Sequence, residues 1–84
     1  MTNYIMLITY SFDGDYVAVP CQTQGDAIEK LYEYLEAEIE ECVKETGVTP
    51  KERNYGDLEV HLFYTDDGDE ACYRVIEIGH GVNK

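Results

Sequence analysis

The chain has 84 residues and a formal net charge of −12, from eighteen acidic against six basic side chains, so residues 1–84 make one domain with a single modest core. A 44% hydrophobic content and eight tyrosines argue against intrinsic disorder. An acidic body of this kind is repelled by nucleic acid and by anionic membrane surfaces, which leaves a basic nucleic-acid-binding protein as the expected partner.

A charge of magnitude ~2–8 suffices for the solubility of a small domain, and −12 lies beyond that range. No Lys or Arg precedes Lys30. No apolar run approaches the ~20 residues of a membrane span, and the N-terminus lacks a signal-peptide pattern, so the cytosol is the expected compartment. Cys21, Cys42 and Cys72 are odd in number, widely spaced and without a C-x-x-C pair. In a reducing compartment they read as small buried hydrophobes.

In chain order, Tyr4 to Phe12 is rich in β-branched and aromatic residues and ends at Asp13-Gly14. That dipeptide predicts a two-residue type I′ hairpin, with Tyr10 near Val17 and Ile8 near Val19. Asp15 to Val19 is the returning strand, stopped by Pro20. From Gln24 to Thr46, Ile28, Leu31, Tyr32, Leu35, Ile39, Cys42 and Val43 recur at helical steps. Thr23 or Asp26 can cap this helix, Gly47 supplies its C-cap, and Pro50 confirms the stop. Lys51 to Gly56 reads as a polar connection.

Asp57 to Thr65 alternates, with Leu58, Val60, Leu62 and Tyr64 on one face and Glu59, His61, Phe63 and Thr65 on the other. Asp66-Asp67-Gly68-Asp69 predicts a second hairpin turn, and Ala71 to Ile78 returns. A two-residue loop at Asp67-Gly68 places Leu62 opposite Tyr73, Val60 opposite Val75 and His61 facing Arg74. Gly79 to Lys84 reads as a frayed tail. The order ββαββ predicts an α+β two-layer sandwich, a four-stranded, mostly antiparallel sheet under one helix. Its outer face would carry Phe63, Ile76, Ile5 and Leu7, an apolar surface that suits a partner or a homodimer.

Opposite the apolar stripe of the helix stand Glu29, Glu33, Glu36 and Glu40. They span about 16 Å at the helical rise, with neighbours about 5–6 Å apart. The phosphates of one DNA strand are closer, at ~3.4 Å of axis, and Asp13, Asp15, Asp66, Asp67, Asp69 and Glu70 could extend the acidic surface. Such a surface can occupy a groove lined with Lys and Arg. The plain alternative is a solvated helix face.

From Asp13 to Leu35 the chain reads DGDYVAVPCQTQGDAIEKLYEYL. Asp13, Gly14, Tyr16, Val17, Ala18, Pro20, Cys21, Thr23, Gln24, Gly25 and Asp26, followed by a Glu-rich helix, resemble the N-terminal domain of HicB-type antitoxins. The Asp-Leu-Pro-Gly which that family places between the proline and the cysteine is missing here. The resemblance implies an inhibitor that blocks a small ribonuclease toxin with a double-stranded-RNA-binding-like fold. In size and charge the chain is also similar, as a class, to small acidic inhibitors from phages and mobile elements, such as anti-CRISPR proteins.

No catalytic signature emerges. The helix glutamates are expected to be solvated alike, whereas acid–base pairs need unlike environments. His61 and His80 are distant in sequence and no closely spaced zinc ligands occur; each reads as a surface histidine. Asp66, Asp67, Asp69 and Glu70 could coordinate Ca²⁺, but the EF-hand pattern is missing and turn chemistry explains them first. The expectation is a non-enzymatic inhibitor without metal or cofactor that mimics nucleic acid. The alternative is an interaction module that uses the outer sheet face.

Overall fold

In the computed structural model, which describes residues 3–56, 58–64 and 68–78, one helix, α1 (Gln24–Thr46), has the span that its apolar spacing predicts. Asp57, Thr65, Asp66, Asp67 and the 79–84 tail with His80 lie outside the described residues. Thr23 is the N-cap: its hydroxyl accepts the Asp26 N–H at 3.1 Å, and Asp26 sits in the first turn at the positive end of the helix dipole. At the other end Gly47 adopts φ +76°, a left-handed conformation that glycine enters without a Cβ penalty. Its N–H closes on the Val43 carbonyl at 2.8 Å.

Five strands accompany the helix: β1 (Tyr4–Tyr10), β2 (Tyr16–Cys21), β3 (Lys51–Asn54), β4 (Glu59–Phe63) and β5 (Glu70–Glu77). They form one antiparallel sheet in the order β2-β1-β5-β4-β3, with α1 laid across β1, β5 and β2. The fold is the expected α+β arrangement of sheet and helix, with five strands where four are predicted. The extra strand is the stretch Lys51–Asn54, expected to be a polar connection. All four of its side chains are exposed, so no hydrophobic alternation announces it; backbone pairing to the edge of β4 alone makes it a strand.

Ala27, Leu31 and Leu35 from α1 are buried against Met6, Ile8, Val60, Leu62, Ala71 and Tyr73. At about 1.5 Å per residue α1 is ~34 Å long, while the longest strand, eight residues, reaches ~26 Å. Ile39 in the C-terminal half still packs against the core, whereas Val43, expected on the core face, is 41% exposed. No helix among the described residues is long and apolar enough to cross a membrane.

Both hairpins are shifted by two residues from the expected register. Ile8 pairs with Val17, Val60 with Tyr73 and Leu62 with Ala71. A shift of two keeps every side chain on its face, whereas a shift of one would invert the strand. The first cause is local. Gly14 is not among the positive-φ glycines, so Asp13-Gly14 forms no type I′ turn. Instead the Asp13 carboxylate accepts the Asp15 N–H at 3.2 Å, and Ser11 turns to β5: its N–H donates to the Glu70 carbonyl, and its hydroxyl accepts the Glu70 N–H, both at 2.9 Å. At the second hairpin the Tyr64 N–H donates to the Asp69 carbonyl at 2.9 Å, which widens the loop. Pro20, expected to stop its strand, lies within β2, because an edge strand tolerates the missing N–H.

The loop end of the core is phenolic. Tyr73 is almost fully buried, and the buried Tyr64 hydroxyl has no hydrogen-bond partner among the described residues. Burial, reinforced by Glu38, pushes both phenols well above their ordinary value of 10.0; for Tyr64 the neighbouring Tyr73 adds to the effect ahead of Glu38. A raised folded-state pKa leaves stability untouched below the unfolded value and removes it as pH rises above that value. Stability is therefore expected to fall above about pH 10, by about 1.4 kcal/mol per pH unit for each of the two phenols. Tyrosinate absorbance followed beside circular dichroism checks this: these two rings should ionise only together with unfolding.

Candidate functional site

The helix presents its acidic column as a straight rigid feature. Glu29, Glu33, Glu36 and Glu40 are all exposed, and among the described residues only Glu33 is ion-paired, to Lys30 at 3.2 Å. The helix carries eight of the eighteen acidic residues against Lys30 and Lys44. Exposed Tyr34 and Val43 lie among them. Two shallow grooves follow the helix, one lined by Glu33, Tyr34, Ala37, Glu38 and Glu41, the other by Glu36, Ile39, Glu40 and Val43. Each sets apolar side chains beside carboxylates.

Of the acidic turn residues, Asp13, Asp15 and Asp69 are exposed. Burial first, then the charges of Glu38 and Asp13, raise the Tyr10 phenol. Asp66 and Asp67 lie outside the described residues. Glu70 belongs elsewhere. It pairs with Phe63 on the sheet face turned away from α1, where its carboxylate is held by His61.

That outer face contains a cluster the sequence did not disclose. His61 lies opposite Cys72, two pairs along from Glu59 opposite Arg74 and so on the same face, and the expected His61–Arg74 pairing is replaced. His61 Nε2 lies 2.6 Å from Glu59 Oε2 and 3.5 Å from Cys72 Sγ; its Nδ1 lies 2.9 Å from Glu70 Oε2. The Tyr55 ring packs edge-on against the imidazole with centroids 4.8 Å apart. Burial pushes the Cys72 thiol up, while the nearby Arg74 guanidinium draws it down and Glu59 and Glu70 raise it again. A buried thiol held protonated is a poor nucleophile, and Glu59 occupies the nitrogen that would take its proton. The alternating strand Glu59-x-His61 did signal that these two side chains share a face. Alternation also puts Cys72 on that face, but the expected register set Arg74 rather than Cys72 opposite His61.

Residues 13–35 cover part of the β1–β2 connection, β2 and the first half of α1. Comparison with protein-family models, with curated proteins and with solved structures finds no match to this chain.

Proposed function

We propose that this chain is a non-enzymatic binding protein that inserts its acidic helix face into the cationic cleft of a nucleic-acid-acting enzyme and blocks substrate there. The observation that carries the reading is the exposure of Glu29, Glu33, Glu36 and Glu40 along one helix with a single member ion-paired among the described residues. Carboxylates held on a rigid support compete with phosphates for Arg and Lys, and exposed Tyr34 and Val43 add the apolar contact that a purely solvated face lacks. The enzyme class is a toxin ribonuclease, as the HicB-like segment implies, or a CRISPR effector nuclease. The test is inhibition of nucleic-acid cleavage by such enzymes, with wild type beside a variant in which the four glutamates are glutamine. Equal inhibition by the two proteins would reject the proposal.

A second reading rests on the open sheet face. Tyr16 is 67% exposed and Ile76 40% exposed, beside half-buried Ile5, Leu7 and Phe63, so an apolar surface stands uncovered. Under this reading a homodimer forms there. Ile76→Asp then shifts sedimentation equilibrium from dimer to monomer, while the four glutamate substitutions leave assembly unchanged; a monomeric wild type would dismiss it.

A further inference from the structure

We infer that Glu59, His61 and Cys72 form a site for a zinc-class divalent cation, with Glu70 orienting the histidine. Their ligand atoms lie within 4.8 Å of one another on adjacent strands β4 and β5, which are more rigid supports than loops. The inference does not depend on the acidic helix.

Two details of geometry suit a metal, and a third requires a local rearrangement of Glu59. Cys72 Sγ and His61 Nε2 stand 3.5 Å apart. Tetrahedral zinc with Zn–S of about 2.3 Å and Zn–N of about 2.05 Å requires ~3.6 Å between those atoms. The Glu59 oxygen, 2.6 Å from the same nitrogen, needs ~3.4 Å, a displacement that rotation of its exposed carboxylate can supply. Meanwhile Nδ1 faces Glu70 at 2.9 Å, which is the carboxylate–histidine–metal arrangement that fixes the ring and its tautomer.

Charge and donor type agree. A thiolate, an imidazole and a carboxylate make a borderline set that suits zinc and is too soft for calcium or magnesium. Once Cys72 releases its thiol proton to solvent on metal binding, the anions of Glu59, Glu70 and Cys72 together with the cation of Arg74, which faces Glu59, leave a net of two negative charges for a divalent ion. Three protein ligands leave a fourth position on the open face for water or for a donor from a partner.

Titration of the purified chain with Zn²⁺ alone, and with Co²⁺ alone as a spectroscopic probe, tests the site. The expected result is one equivalent bound, a thiolate-to-cobalt charge-transfer band and a raised melting temperature. Cys72→Ser should abolish the band and Cys42→Ser should retain it. Glu70→Gln should weaken binding by about 10–100-fold. Alkylation of the wild type mapped by mass spectrometry needs no variant: Zn²⁺ should slow modification of Cys72 and leave Cys42 unchanged. Absence of the cobalt band, its persistence in Cys72→Ser, or an alkylation rate at Cys72 indifferent to Zn²⁺ would each overturn the assignment.

Discussion

Leu35→Ala is expected to destabilise the protein by about 2–5 kcal/mol, the range for truncating a fully buried leucine. Leu35 is 1% exposed and packs in the same cluster as Met6, Ile8, Leu31 and Tyr73. It is the last buried residue of the helix, and Ile39 one turn on still packs against the same cluster. A domain of this size has roughly 4–13 kcal/mol of stability in all, so the substitution removes a large share. A fall of about 10 °C or more in the melting temperature should follow. Urea unfolding monitored by circular dichroism supplies the number, with Glu40→Ala as a surface control expected within about 0.5 kcal/mol of wild type. A loss below about 1 kcal/mol at Leu35 would mean that the helix is not docked as described.

Replacing Glu29, Glu33, Glu36 and Glu40 together by glutamine should act on binding and on stability in opposite directions. Glu29–Glu33 and Glu36–Glu40 are i, i+4 like-charge pairs and Glu33–Glu36 is an i, i+3 pair, each costing about 0.2–0.5 kcal/mol at low salt. Relief of that repulsion exceeds the loss of the exposed Lys30–Glu33 pair (3.2 Å), since such pairs contribute little. The variant should therefore melt no lower than wild type at low salt. Affinity for a basic enzyme should nevertheless drop by about fourfold to several hundredfold, from four lost charge contacts of about 0.2–1 kcal/mol each. The two opposed changes separate a lost contact from a lost fold.

What the sequence made legible follows from which forces are local. Helix limits could be read because Thr23 and Gly47 are chemical stop signs, one an oxygen acceptor for orphan N–H groups and the other a residue free to adopt φ +76°. Face assignment could be read because strand alternation has a period of two: Val60 and Leu62 are buried, and His61 lies between them on the other side. Register could not. It depends on Ser11 bonding to β5 rather than turning toward β2, a contact across 59 residues that no local pattern encodes. The same two-residue shift concealed the approach of Cys72 to His61. β3 was illegible for a different reason: the solvated side chains of Lys51, Glu52, Arg53 and Asn54 write no pattern, and only their backbone is committed. The acidic column was visible as spacing, while the exposure of Tyr34 and Val43 beside it emerged only with the docking of the helix on the sheet.

The affinity of wild type and of the quadruple glutamine variant for a basic nuclease of the toxin or CRISPR-effector class, measured from about 50 to about 200 mM salt, tests the acidic-face reading most directly. Wild-type binding should weaken steeply with salt and be displaced by the enzyme's own nucleic acid, and the variant should bind weakly at every salt concentration with a shallow dependence. Equal affinities for the two proteins, insensitive to salt, would contradict it and leave the carboxylates as a solvated coat.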